Sequence, residues 1–278
     1  MYTNRGKRRK KGLAGLDTAI ILIAFIITAS VLAYVAVSMG IFVTQKAKTT
    51  INKGEETAST ALSITGNILY ASNYPTDSYS YWIYFPVSPS SGVASVQLSP
   101  STTAISFEAS TEGIVLTNIY NYTLLTVTSD SPYLLSQKSG GITYYYYPSV
   151  YAALLALSNA PAQSKPPSGV FQVLSGSCPS TPPTGYNTFT FNYTGKQYCA
   201  EVGVTFAFTF PVAGDSLVGS AIAPAGSSVG VVILFGPNTG HHVFQYQTLT
   251  ITITPNIGSP LTVSQYVYQP DGNISVIG

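Results

Sequence analysis

The chain has 278 residues, 45% of them hydrophobic and only 8% charged, where an ordinary soluble domain carries about 25% charged residues. One apolar run alone is long enough to cross a bilayer, so a multi-span membrane protein is excluded. The net charge of +2 conceals an asymmetry, because six of the 12 basic residues lie in the first 11 positions and the remainder carries six basic against ten acidic residues, a net of −4. A basic excess confined to a terminal segment gives no reason to expect a nucleic-acid partner.

The first element is that basic segment, Arg5, Lys7, Arg8, Arg9, Lys10 and Lys11, stopping at Gly12. A single acid follows at Asp17, and residues 18–45 carry no charge. Three readings are open. A conventional secretory signal has an apolar region of about 7–15 residues and a small-residue cut site; this run is longer, and no Ala-x-Ala site follows it. A signal anchor fits both length and charge, with the basic end held in the cytoplasm and the body outside. The third reading is cleavage before the apolar run, between Gly12 and Leu13, leaving the helix at the start of the mature chain.

Leu, Ile, Val and Ala cover every side of residues 16–43, and a helix that is apolar all round belongs in lipid or among other helices. Its uncharged part spans about 42 Å at 1.5 Å per residue, more than the roughly 30 Å hydrocarbon core requires. From Lys46 the pattern becomes amphipathic, with Ala47, Ile51, Ala58 and Leu62 at three- or four-residue spacing and Lys48, Lys53, Glu55 and Glu56 elsewhere. The spacing predicts one helix to about Thr65, stopped by Gly66, with bends at Gly40 and Gly54.

These residues carry a resemblance. Lys11-Gly12-Leu13, with Asp17 as the fifth residue after the cut, is similar to the processing site of type IV pilin-like proteins. The stretch Leu13-Ala14-Gly15-Leu16-Asp17-Thr18-Ala19-Ile20-Ile21 and its apolar continuation resemble the N-terminus of archaellins (archaeal flagellins) of the crenarchaeal type. The likeness runs through Val43-Thr44-Gln45-Lys46-Ala47-Lys48 and Ile51-Asn52-Lys53-Gly54-Glu55-Glu56-Thr57-Ala58 to about Pro86. It implies a cleaved leader (1–12), a polymerisation helix (13–66) and an outer domain (67–278). It also implies a prepilin-type signal peptidase acting at Lys11, Gly12 and Leu13. Assembly is expected through Asp17, Ile20, Ile23, Ile27, Val31 and Tyr34. Asp17 is costly in an apolar setting unless paired. The resemblance implies that it meets the free amine at Leu13 of a neighbouring subunit, and the plainer alternative is that it caps the helix start, where the dipole favours an anion.

After Gly66 the period shifts towards two. Short strands are expected at 79–85 (ending at Pro86), 93–98, 103–107, 114–117 and 122–128, separated by Ser, Pro and Gly clusters at intervals that suit a β-sandwich. Residues 142–147 add a tyrosine-rich strand, Tyr144 to Tyr147, which packs one face inward or offers a sugar platform. Residues 149–159 form the one helical interruption. Alternation is cleaner later, at 199–210 and 243–254, while 229–235 is apolar throughout and reads as a central strand. Strands at 261–268 and 274–277 close the chain around the turn Pro270-Asp271-Gly272. The fold class is therefore α+β, a long N-terminal hydrophobic helix followed by an all-β immunoglobulin-like sandwich.

Cys178 and Cys199, about 20 residues apart in a chain sent outside, read as a disulfide; two buried free thiols are the alternative. Asn121-Tyr-Thr123, Asn192-Tyr-Thr194 and Asn273-Ile-Ser275 are N-glycosylation sequons. The surface-forming Ser, Thr, Asn and Tyr keep their polarity at any pH, an expectation of acid tolerance that steep destabilisation below about pH 4 would refute. His241 and His242 are the only histidines and sit in a Gly-flanked turn. No carboxylate pair, metal-ligand spacing or phosphate loop accompanies them, so neither catalytic residues nor a cofactor nor a metal is expected.

The function these features and the resemblance imply is mechanical. The chain is expected to be a homopolymeric subunit of the extracellular archaellum filament, stored in the cell membrane before assembly and turned by a motor and assembly platform in that membrane. The rivals are an adhesive pilus subunit with the same leader and a membrane-anchored surface protein that never polymerises.

Overall fold

A computed structural model describes residues 10–58, 61–72, 80–110, 113–126, 131–161, 164–213, 219–237, 246–268 and 272–277. The chain divides into two compact units, residues 1–55 and 56–278. The first is one helix, Lys10–Ala58, whose last turn reaches past the division. It continues through Gly15, Gly40 and Gly54 without a break, in keeping with a run that carries no proline and repeats the helix formers Ala and Leu.

The helix stops at Ala58, short of the expected Thr65, and Gly66 is not its terminator. Leu62–Ile64 is instead a strand pairing with Val87 to Pro89. Leu62 is 1% exposed and joins the body's core. Tertiary burial of Ala61 and Leu62 overrides a weak helical pattern rich in Thr and Ser. Gly66 has a different use: a β-carbon there would lie 2.8 Å from Pro86 Cγ. Lacking a side chain, it lets the chain pass Pro86 between Leu62–Ile64 and Ile68–Ser72, which both pair with Ser80–Pro89.

The body is built on a seven-stranded central sheet. Its order runs Ile274–Ile277, Ile68–Ser72, Ser80–Pro89, Ser228–Leu234, Phe206–Ala213 and Tyr120–Thr123, with Leu62–Ile64 added beside Ser80–Pro89. Pairing is antiparallel except between Tyr120–Thr123 and Phe206–Ala213. Ser228–Leu234 lies in the middle, as its unbroken apolar run anticipates: Val229, Val231 and Ile233 enter one cluster, Val232 and Leu234 the other. A sheet buried on both faces has no polar side to alternate with.

One face packs against a four-stranded antiparallel sheet in the order Leu261–Tyr266, Thr248–Thr254, Ala104–Ala109, Ile114–Leu116. Leu249, Ile251 and Ile253 point into that interface and are at most 1% exposed. The other face carries a layer that the sandwich expectation lacks. It consists of the sheet Phe171–Ser175, Lys196–Val202, Asn187–Tyr193 and the helix Val150–Ser158. Phe206, Phe208 and Phe210 of the central sheet meet Phe171, Phe191 and the helix's Ala and Leu residues there. Each buried aromatic or aliphatic side chain contributes roughly 1.5–3 kcal/mol.

The expected strand at 199–210 is therefore two strands in two different sheets, Lys196–Val202 and Phe206–Ala213. The break falls at Gly203, where a β-carbon would stand 2.1 Å from the Gly169 carbonyl oxygen. The short helix follows expectation. Ser149 is its N-cap, accepting a hydrogen bond from Ala152 N, and Asn159 closes it. Pro86 does not end its strand, which runs on to Pro89. The tyrosine run splits: Ile142–Tyr146 pairs with Leu135–Ser139 as a hairpin, while Tyr147 is 2% exposed and sits edge-on to Phe210. His241 and His242, with Pro270 and Asp271 of the last expected turn, lie outside the described residues.

Candidate polymerisation helix and outer surface

Lys10–Ala58 holds 49 residues, a length of about 74 Å at 1.5 Å per residue. Within it, residues 15–52 form a segment long and apolar enough to cross a membrane. Its apolar side chains are uncovered. Ile20 is 62% exposed, Phe25 72%, Leu32 70% and Tyr34 75%. The expected assembly residues Ile20, Ile23, Ile27, Val31 and Tyr34 fall, at 100° per residue, on one stripe roughly 80° wide, with Asp17 at its edge. The opposite side, with Leu22, Phe25 and Leu32, is equally apolar, so the sequence marks no single seam.

A helix meant for an apolar setting must satisfy its own polar groups, and the hydroxyls in the run do so. Thr18 Oγ1 donates to the Gly15 carbonyl at 3.0 Å, Thr28 to Ala24 and Phe25 at 3.0 Å, Ser30 to Ile27 at 2.8 Å and Thr44 to Gly40 at 2.8 Å. This back-bonding to the preceding turn hides polarity without needing water or a neighbour. In sequence, a Ser or Thr inside an unbroken apolar helix is the signal that finds these residues. At the lower boundary Lys46 Nζ stands 5.7 Å from the centre of the Phe42 ring, an amphipathic arrangement that keeps the charge at the edge of the apolar segment.

Asp17 is the acid that does not fit. The helix is already formed at Lys10, and its first turn contains no acidic residue, so Asp17 does not cap the start of this chain. It is exposed and makes no ion pair among the described residues. Of Lys11, Gly12 and Leu13 the structure gives the helical backbone.

On the body, Cys178 and Cys199 form a disulfide, with an S–S distance of 2.01 Å. It ties the loop after Phe171–Ser175 to the middle strand of the small sheet, and Cys178 N donates to Thr190 Oγ1 at 3.1 Å beside it. The three sequon asparagines are all exposed but differ in setting. Asn121 lies on an edge strand, and its partner Thr123 is buried, bonded to Thr209 Oγ1 at 2.8 Å. Asn192 lies at the edge of the small sheet, and its Thr194 is exposed in a turn with φ of 47°. Asn273 precedes Ile274–Ile277, and its carbonyl accepts from Ser72 N at 3.0 Å. Among the described residues no group of three His, Cys, Asp or Glu is placed to hold a metal.

Comparison with known proteins accounts for the helix and body together. The family model for archaeal-type flagellin matches residues 12–174. Flagellin FlaB2 of Saccharolobus shibatae is 62% identical over 294 aligned positions, covering 98% of this chain and 96% of that protein. Probable flagellin 1 of Aeropyrum pernix is 39% identical over 98 positions, covering 35% of this chain and 47% of its own. A solved archaeal flagellum of Methanospirillum hungatei aligns over 95% of this chain and 99% of its own at 18% identity, with a TM-score of 0.38. By a model spanning more than half its length and a close full-length relative, the chain belongs to the archaeal-type flagellin family.

Proposed function

We propose that this chain is a structural subunit of an archaellum filament that polymerises through its N-terminal helix. One observation carries the reading. A helix of about 74 Å, apolar on every side and internally satisfied in its hydroxyls, is attached to a body with a complete core of its own. Such a helix has two resting places, lipid and a bundle of its own kind. Moving from one to the other exposes no apolar area to water. The family is structural, and we take the chain to have no enzymatic role.

The finer steps extend this. A prepilin-type peptidase cuts between Gly12 and Leu13, removing the basic segment that holds the N-terminus in the cytoplasm. The cut creates an amine at Leu13, four residues before Asp17. Bringing that amine of one subunit to Asp17 of another neutralises both charges as the helices enter the bundle, which removes a penalty of several kcal/mol per unpaired ion. The bodies then face outward, with the sequons Asn121, Asn192 and Asn273 open to glycosylation. The filament is extracellular and is driven by a motor and platform in the membrane.

N-terminal sequencing of filaments sheared from cells tests the reading. The expected first residue is Leu13. Filaments beginning at Met1 would overturn the cleavage, and chains recovered only as membrane-bound monomers would overturn polymerisation. Swimming against attachment in a deletion strain separates motility from an adhesive role.

A further inference from the structure

The body holds a cavity of about 600 Å³ between the central sheet, the short helix and the loop tethered by the disulfide. That lies within the usual range of small-ligand sites. One side is aromatic: Tyr81 and Trp82 from the central sheet, Phe189 from the small sheet and Tyr151 from the helix. Tyr81 and Phe189 stack at 5.1 Å, and Trp82 meets Tyr151 edge-on at 6.1 Å. The other side is polar and neutral, with the hydroxyls of Thr188, Thr190 and Ser180 and the amide of Asn273. Among the described residues its lining contains no Asp, Glu, Lys or Arg.

Two further facts bear on what it takes. The Trp82 indole N–H is buried, with the residue 2% exposed, and finds no acceptor among the described residues. Its nitrogen has almost no accessible surface, so it is closed off from the cavity, and a ligand there packs beside the indole without bonding to it. The disulfide holds the polar wall in place, since Cys178 itself lines the cavity next to Pro179. A sugar ring has the matching chemistry. Its C–H faces pack on aromatic rings, and its hydroxyls exchange hydrogen bonds with hydroxyls and amides. Among the described residues a charged ligand would find no counter-ion.

We propose that this cavity is a binding site for a neutral saccharide. Two sources present that chemistry: a glycan attached to Asn273 of the same chain, at the rim of the cavity, and a free sugar or surface glycan outside. The proposal is independent of polymerisation, because no residue of the long helix lines the site.

Trp82 is the only tryptophan in the chain, so its fluorescence reports the surroundings of this one side chain. Thr188, which lines this cavity and not the neighbouring apolar one that Trp82 also borders, ties the signal to the site. Assembled filaments of the natural sequence and of Asn273→Gln are titrated with glucose, mannose and N-acetylglucosamine, with glucuronate as the charged control. A saturable change of emission in Asn273→Gln but not in natural filaments, together with different starting spectra, places the chain's own glycan in the cavity. The same saturable change in both places an external sugar there. In either case Thr188→Val, with its melting unchanged, should weaken the response several-fold. Identical spectra with no saturable change for any neutral sugar would overturn the proposal. So would equal binding of glucuronate. Normal filaments in the same samples keep a failure here separate from a failure of the assembly reading.

Discussion

Gly230 stands directly across from Phe210 in the central sheet, and the Phe210 ring occupies the place a β-carbon would take, 2.7 Å away. Tyr84 closes the same space from the other neighbouring strand at 2.8 Å, and the two rings stack at 5.9 Å over the bare backbone. A glycine inside a central strand is ordinarily a loss; this one is the gap that admits an aromatic pair. Gly230→Ala is expected to destabilise the body by about 1–3 kcal/mol through overpacking. Thermal melts followed by β-sheet circular dichroism on the full chain would detect it; a change below the error of the melt would show that the rings can move aside.

The acid in the apolar helix makes the second prediction. Asp17→Ala should leave processing at Gly12 intact, because the cut lies five residues before it. It should block incorporation, because the Leu13 amine then enters the bundle without a counter-charge. Immunoblots of membrane and sheared-filament fractions would show mature-length chain accumulating in the membrane. Normal filaments from this variant would remove Asp17 from assembly.

Alkali should unfold the body in a defined window. Burial pushes the Tyr120 hydroxyl from 10 up to about 12, with Thr209 and Thr123 partly offsetting it. Burial likewise raises Tyr70 to about 12. The folded state holds these protons more tightly than the unfolded chain, so the stability they confer is complete below pH 10. It is lost as pH rises from 10 towards 12. Phenolate absorbance should lag the model-tyrosine curve and then jump together with loss of β structure. Tyr120→Phe would flatten the dependence while losing the bond the hydroxyl donates to the Leu98 carbonyl and the one it shares with Thr209 Oγ1, at about 0.5–1.5 kcal/mol per bond.

Much of this architecture can be read directly from residue order. The long apolar helix shows because 28 consecutive residues carry no charge, and Val229, Val231 and Ile233 show a central strand because no polar residue interrupts them. What stays hidden depends on distant partners. Nothing near Thr65 says that Leu62 will be buried against the body, and nothing near Gly203 says that Gly169 will press on it. The layer of Phe171–Ser175, Lys196–Val202 and Asn187–Tyr193 is invisible for the same reason: its strands alternate as a two-sheet sandwich would. The cavity beside Trp82 is further still from legible, since Tyr81, Tyr151 and Phe189 come from separate elements.

The disulfide supplies a fourth prediction. It closes a sequence separation of 21, for which the chain-entropy model gives about 3 kcal/mol. Cys178→Ser with Cys199→Ser should lower denaturant stability by about that amount, and reductant should do the same to the natural chain. Equal stability with and without reductant would mean that the small sheet holds the loop unaided.

Sequon geometry orders the glycosylation sites. Thr194 is exposed, whereas Thr123 is buried against Thr209. Transfer to a folded chain should therefore favour Asn192 over Asn121, and site occupancy by peptide mass spectrometry would show it. Full occupancy at Asn121 would place modification before folding.

The even apolar coat of the long helix carries a mechanical consequence. A helix with one greasy stripe has a preferred azimuth, and turning it in a bundle is costly. Here Ile20 and Leu22, on different faces, are equally exposed and equally apolar, so packing energy changes little as the rod rolls about its own axis. A filament core made of such rods has many nearly equal settings. In the proposed filament it can yield to torque by small rolls of its members that leave each Asp17 within reach of its partner amine, without breaking any backbone hydrogen bond.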